Sequence, residues 1–555
     1  VTTGQNPEVP GKGRTRAFRL GLDALTPARL AELVDDPEAR LVLEPDVGLA
    51  LDAGAAALEA AMARAAEGGS PVYGATTGFG GNAEVGSATE GATQGADEVA
   101  SEGAARGGAR PSWPELQGHQ LRLARYLDAG SGPPLPWRFA RGVLVARAHV
   151  LALGASGVRR EVVEALVTLF HAGIAPVIPR DGSLGASGDL VSLAPLARLL
   201  AGEAVPALVQ TEAGPLEMPG SDTLRRAGLT PLELLGRDTL ALVNGLSGVT
   251  ALAALLLVEA RRLHAWGRVS AAATGWALGV RQEAWSARVN EAPLRRHQGQ
   301  AQVAAALRAV VEGASPVLPP AEGPIQDPYS LRCIPQLLGP GEEFLELAEA
   351  WLAAELDGVS DNPVPARDLT TEDAQRYLSG GNFFGGYVAG AAEVVAGMLA
   401  RLGDLLERQG FLLVGGQRGL PENLVPPGVP AFRHGLKGVH QASSALAMGL
   451  QRGAIPASPF ARSAEGHNQD VVSNAMQAAT ALAEQVDRAA ALVAAHSTLA
   501  AQAVELRREA GSDPGPVLST WLRQIRAYVP RVEDDTALRE SMGALALHLR
   551  GQTPP

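Results

Sequence analysis

The sequence predicts a mainly α-helical protein with a long central bundle. Three observations carry this. Ala and Leu recur at helical spacing along most of the chain, β-branched runs are few, and the longest apolar segments are apolar over much of the helical circumference. The last is the mark of inner helices in a large bundle. Residues 238–266 ("DTLALVNGLSGVTALAALLLVEARRLHAW"), 341–359 ("GEEFLELAEAWLAAELDGV") and 474–506 ("NAMQAATALAEQVDRAAALVAAHSTLAAQAVEL") are the clearest such helices. No repeat of fixed period and no sustained heptad pattern accompanies them, so neither a solenoid nor a simple coiled coil is expected.

With 555 residues, 46% hydrophobic and 19% charged, the chain can build two or three core units or one large helical body. The expected division is an N-terminal domain over 1–205, a helical bundle over 206–510 and a C-terminal helical tail over 511–555. A formal charge of −12 without basic runs argues against nucleic acid and anionic membranes as partners. A single cysteine, Cys333, excludes an internal disulfide framework and suits a reducing compartment. The first residues, "VTTGQNPEVPGKGRTRAFRLG", contain no apolar secretory core. The apolar stretch 489–506 carries His496, Ser497, Thr498 and Gln502, and reads as a buried helix rather than a membrane span. A cytoplasmic setting is therefore expected. The ten histidines show neither HExxH nor Cys/His spacing, so no metal site is expected.

Two loop-rich regions interrupt the helical pattern. Residues 81–113, rich in Gly, Ala, Ser and Glu, have little to bury and predict a mobile loop. This region continues from "VYGATTGFG" (72–80), a turn carrying Tyr73, and loops beside a tyrosine can serve as active-site lids or be idle excursions. Residues 416–438 separate two helical blocks.

The segment "GSLGASGDL" (182–190) places three glycines and two serines ahead of an apolar helix. A serine nucleophile elbow requires Gly-x-Ser-x-Gly, and the last position here is Asp189, so that reading fails. Ala186-Ser187-Gly188 permits a backbone reaction instead. The Gly188 amide nitrogen can attack the Ala186 carbonyl to close a five-membered ring. Loss of two waters then leaves 4-methylidene-imidazol-5-one (MIO), an electrophile made from the chain itself. Glycine suits the attacking position because it reaches strained backbone geometry at low cost. Taken alone, Ala-Ser-Gly is a common tripeptide and reads first as a plain tight turn.

The segment "GSLGASGDLVSLAPLARLLAGE" (182–203) closely resembles the signature of the histidine/phenylalanine ammonia-lyase and aminomutase family, in which this tripeptide becomes the MIO group. The resemblance continues in order through "VYGATTGFG" (72–80), "LALVNGLSG" (240–248), "QDPYSLRCIPQLLGP" (326–340) and "VSDNP" (359–363). "SGGNFFGG" (379–386), "GLKG" (435–438) and "SAEGHNQDVVS" (463–473) complete it, so that it spans roughly residues 20 to 510.

The resemblance implies an ammonia-lyase that removes ammonia from an aromatic α-amino acid to leave an arylacrylate. It implies Tyr73 as the base for the β-proton, which requires a stabilised phenolate, since a free tyrosine titrates near pH 10. Arg332 would grip the substrate carboxylate with its planar fork. Tyr329 would sit near the electrophile, and Asn244 and Asn362 would orient substrate or prosthetic-group oxygens. Gln326, Phe383, Phe384 and Lys437 complete the implied pocket, with Glu465 and Gln469 on one face of a helix start and the glutamate near the substrate amine. His467 reads as structural. The implied assembly is a homotetramer with each site built from three subunits.

"SAEGHNQDVVS" and "GLKG" resemble the phenylalanine branch, while "QDPYSLRC" is closer to the histidine branch; on balance the phenylalanine type is favoured. The residue pair that touches the substrate ring is Tyr126-Leu127 if a three-residue insertion is allowed, or Leu123-Ala124 without a gap. Phe384 stands where the family commonly has histidine or glutamine. A 2,3-aminomutase, a histidine ammonia-lyase and a catalytically silent helical scaffold are the alternatives.

Overall fold

The computed structural model describes residues 17–67, 69–77, 113–185, 188–318, 324–366, 377–430 and 432–555. Helix makes up 59% of the described residues, against the roughly 30–35% usual for globular proteins, and eighteen α-helices lie among them. The expected all-α class holds. Two compact units are built, one from the described residues of 1–252, 355–385 and 462–472, the other from those of 253–354, 386–461 and 473–555.

The first unit is helices with short strands as trim. Thr26 opens the helix Pro27–Asp35 by accepting the Arg29 amide on its side chain, with Pro27 in the first turn where a missing N–H costs nothing. The helix Trp137–Ala152 is buried along almost its full length. Beside it packs Arg160–His171, whose Val162, Val163, Leu166, Leu169 and Phe170 face inward. A three-stranded antiparallel sheet, Ile174–Pro176, Pro206–Thr211 and Gly214–Pro219, precedes and follows the helix Leu190–Leu200.

The segment 238–266 departs from the expected single helix. It forms Asp238–Val243 and then Ser247–Ala277, with Asn244 extended (φ −85°, ψ 107°) and Gly245 at φ +151° between them. A Cβ at Gly245 would lie 2.3 Å from the Arg147 guanidinium and 2.9 Å from Ser360 Oγ, so only glycine fits the break. Apolar periodicity runs through this break because both flanking helices are buried, and periodicity was the signal that joined them.

The second unit is the bundle. Gly386–Val414, Lys437–Gly453 and Ala475–Glu509 pack against one another, and Arg539–Gly551 lies along the last of these. The helix 334–356 starts seven residues before the expected 341, with Pro340 inside it. Ala475–Glu509 is long and apolar enough to cross a membrane, yet 94% of its apolar stretch is buried in the protein. Its His496 bonds Ser270 Oγ (2.7 Å) and Thr274 Oγ1 (3.3 Å), and burial pushes its pKa down to about 3, so the ring is neutral.

Candidate active site

The site grows from the break after Val243. Gly188 pairs with Gly245 as an isolated parallel bridge, and the Asp189 amide donates to Gly245 O at 2.8 Å. Gly188 has φ +73°, and a Cβ there would lie 2.3 Å from Gly245 O. Ser183 braces the same turn: its Oγ donates to Gly188 O (3.3 Å) and accepts the Gly185 amide (3.2 Å). Ala186 and Ser187 lie outside the described residues.

The Asp189 carboxylate accepts the Val249 amide at 2.7 Å, which ties the turn to the N-terminus of the helix Ser247–Ala277. Burial pushes the Asp189 pKa up to about 7 in spite of these bonds.

Two asparagines face each other across the break. Asn244 Nδ2 donates to Asn362 O at 2.8 Å, while Asn362 Oδ1 accepts the Gly380 amide at 2.7 Å. Asn244 Oδ1 is buried and lacks a hydrogen-bond partner among the described residues. A buried acceptor left open in this way costs stability unless something occupies it.

Two buried arginines hold the asparagine backbones. Arg147 donates to Asn244 O (3.0 Å) and to Ala241 O, and it stands 3.7 Å from the Asp361 carboxylate. Arg237 donates to Asn362 O (2.8 Å), Pro363 O (3.0 Å) and Ser156 O (2.8 Å). Asp361 lies within electrostatic reach of both, and Tyr73 and Tyr377 within reach of Arg237. These arginines went unassigned in the sequence, because their bonding partners are 81 to 126 residues away and leave no local spacing to read.

Tyr73 sits on a tight turn. The Val72 amide donates to Thr76 Oγ1 (2.9 Å), the Gly74 amide to Thr77 Oγ1 (3.2 Å) and the Thr76 amide to Val72 O (2.9 Å). Gly74, at φ +72°, backs onto Leu240, where a Cβ would meet the side chain at 2.2 Å. Tyr73, Asn244, Asn362, Phe383, Phe384 and Gln469 line one cavity of about 260 Å³. Asn468 and Asp470, unassigned from the sequence, line it too. Tyr126 is half exposed at the end of the helix Trp113–Leu127; burial first, then Glu465 and Tyr73, raise its pKa. Leu127 is buried, as are Leu123 and Ala124.

Glu465 and Gln469 are not on a helix start. Glu465, Gly466 and His467 all have positive φ in a short 3-10 turn, and Ala464 pairs with Gln469 as an antiparallel bridge. Their spacing of four comes from a closed loop. His467 is exposed and bonded to Ser463 Oγ at 2.7 Å.

The remaining expected residues belong to the second unit. Tyr329 is 69% exposed, and Gln326 and Lys437 are exposed as well. The Arg332 guanidinium stacks over the Tyr329 ring at 4.7 Å and donates from Nε to Asp327 O at 2.9 Å. No carboxylate among the described residues lies within ion-pair distance of Arg332.

Residues 25–527 match the family model described as aromatic amino acid lyase. The chain belongs to the aromatic amino acid lyase family. It is a carbon–nitrogen lyase of the ammonia-lyase type, a family whose relatives also include aminomutases. It is 36% identical to a tyrosine ammonia-lyase of Cereibacter sphaeroides over 454 residues, covering 78% of this chain and 84% of the relative. Similarity to a histidine ammonia-lyase of Anaeromyxobacter dehalogenans is 34% over 491 residues, 86% and 89% of the two chains. Among solved structures, a tyrosine aminomutase from Streptomyces globisporus superposes with a TM-score of 0.82 at 27% identity, over 97% of each chain.

Proposed function

We propose that this lyase eliminates ammonia from an L-aromatic amino acid, phenylalanine-like, using an MIO group formed from Ala186, Ser187 and Gly188. The observation that carries the reading is the convergence of Tyr73, Asn244, Asn362 and Phe383 on one cavity, whose Asn244 adjoins the Gly188–Gly245 pairing. The residues present fit the group. Gly188, which would supply the ring nitrogen, lies where a Cβ would meet Gly245 O, and the open Asn244 Oδ1 is an acceptor available to a bound amine.

Once formed, MIO supplies an electrophilic methylidene carbon that makes the substrate amine a leaving group. The protein's own groups do the rest. Asn244 Oδ1 accepts an amine N–H and orients the Cα–N bond. Tyr73 takes the β-proton as phenolate, and the buried positive charge of Arg237 within its reach favours that form. Loss of the proton and of the amine leaves the Cα–Cβ double bond of the arylacrylate. Phe383 and Phe384 offer apolar contact to the ring, and Tyr126-Leu127 the pair that senses its substituents.

Arg332 would grip the carboxylate through its Nη groups, which make no hydrogen bond among the described residues. The exposure of Gln326 and Tyr329, with Arg332 half-buried beside them, supports a homotetramer in which sites are shared between chains. An aminomutase outcome is the second reading, favoured by the likeness to the Streptomyces globisporus tyrosine aminomutase.

The test is ammonia release from L-phenylalanine, L-tyrosine and L-histidine separately, beside a Ser187→Ala control. Release from phenylalanine, abolished in the control, is expected. Release from tyrosine or histidine alone would move the chain to another branch, and β-amino acid formation would make it a mutase.

A further inference from the structure

The first unit holds a second cavity, of about 420 Å³, that shares no lining residue with the catalytic one. Its charge runs against that of the chain. The whole sequence has 59 acidic residues against 47 basic ones, whereas this lining has Arg40, Arg138 and Arg141 against Asp35. Asp35 is already taken by Arg138, which grips it through Nε (2.7 Å) and Nη2 (3.0 Å).

Arg141 is the unusual member. It is only 6% exposed, and its guanidinium lies 3.7 Å from the Phe170 ring centroid and 6.0 Å from that of Trp137. Among the described residues its one hydrogen bond runs from Nη1 to Phe170 O at 3.0 Å and no carboxylate lies within ion-pair distance, Asp36 acting on it only from further away. Burial pushes its pKa down to about 10, so it remains charged at neutral pH. Desolvation outweighs the longer-range attraction of Asp36, and an anion entering the cavity would offset the remaining cost of the buried charge.

His171, on the same wall, accepts the Leu41 amide on Nε2 at 3.0 Å, and burial together with Arg40 and Arg141 lowers its pKa. It is therefore neutral and repels no second cation. Val34, Pro37 and Trp137 give the cavity an apolar side beside the arginines. A flat apolar body bearing one carboxylate matches both halves, whereas an inorganic anion would match the arginines alone.

We propose that this cavity binds a small aromatic carboxylate, with the carboxylate on Arg141 and Arg40 and the ring against Trp137. The arylacrylate product belongs to this class, so the cavity would let product bind away from the catalytic pocket. That consequence rests on the proposed function; the binding itself does not.

The test is calorimetric titration of the full chain with trans-cinnamate and, separately, inorganic phosphate at matched ionic strength. Parent protein, Asn244→Ala, Arg141→Gln and Arg40→Gln are compared. The expected result is a cinnamate event that survives Asn244→Ala and weakens about tenfold in Arg141→Gln and about threefold in Arg40→Gln, with phosphate at least about tenfold weaker than cinnamate. Turnover without added cinnamate should be unchanged in Arg40→Gln. If Arg141→Gln fails to give a native melting curve, the exposed Arg40→Gln decides. Equal cinnamate binding in parent and arginine variants, no event remaining in Asn244→Ala, or phosphate binding as tightly as cinnamate would each overturn the proposal. A chain that releases no ammonia yet binds cinnamate in an Arg141-dependent way would sink the functional reading and leave this one standing.

Discussion

The asparagine pair and the Tyr329–Arg332 turn are built in opposite ways. Around Asn244 and Asn362 the backbone carbonyls are held by Arg147 and Arg237, both fully buried, and Asp361 is buried with them. At Tyr329 and Arg332 the ring is exposed and the guanidinium has a single backbone bond among the described residues. The difference teaches that the floor around Asn244 is preformed within one chain and coupled to folding. The exposed turn can be altered with little effect on stability.

Breaking the buried side should have the largest effect. Asp361→Asn removes the acidic group that the two buried guanidiniums share, at a cost of about 3–5 kcal/mol. Urea unfolding should show a clearly lower midpoint, and a midpoint equal to the parent's would contradict the contrast drawn above.

Asp189 gives the pH dependence of the same region. Its pKa, raised by burial from 3.8 to about 7, means that the folded protein holds a proton the unfolded chain has lost above pH 4. Stability from this group is fully present below about pH 4, declines by about 1.4 kcal/mol per pH unit as pH rises from there to about 7, and levels off above it. Asp189→Asn, which keeps an acceptor for the Val249 amide, should flatten the stability profile across that window. A profile as steep as the parent's would assign the dependence elsewhere.

The smallest effect is expected at the exposed turn. Arg332→Lys should raise KM by about tenfold, near 1.4 kcal/mol, because an ammonium cannot reproduce the two-pronged grip on a carboxylate. Its unfolding midpoint should match the parent's within about 0.5 kcal/mol. A large loss of stability would show the turn to be structural.

Much of this was legible in the sequence, and the reasons are local. The helices announced themselves by apolar spacing, and Tyr73, Asn244 and Asn362 by short motifs whose order matched a family. The break at Gly245 was hidden because buried helices on both sides keep the apolar pattern unbroken across it. The Glu465–Gln469 loop imitated helical spacing, although positive φ at three successive residues closes it without a helix. The arginines behind the asparagines were invisible, since buried charges are recognised by their partners and those partners are remote in sequence. The cationic cavity was hidden likewise, its lining drawn from residues 34–40, 137–141, 170–173 and 210.

The most direct test of the central claim is the intact mass of the purified chain beside Ser187→Ala. The account predicts that the parent is lighter than its sequence by the mass of two waters, and that the variant has its full calculated mass. A parent of full mass, in a host that matures a known MIO-dependent lyase completely, would contradict it.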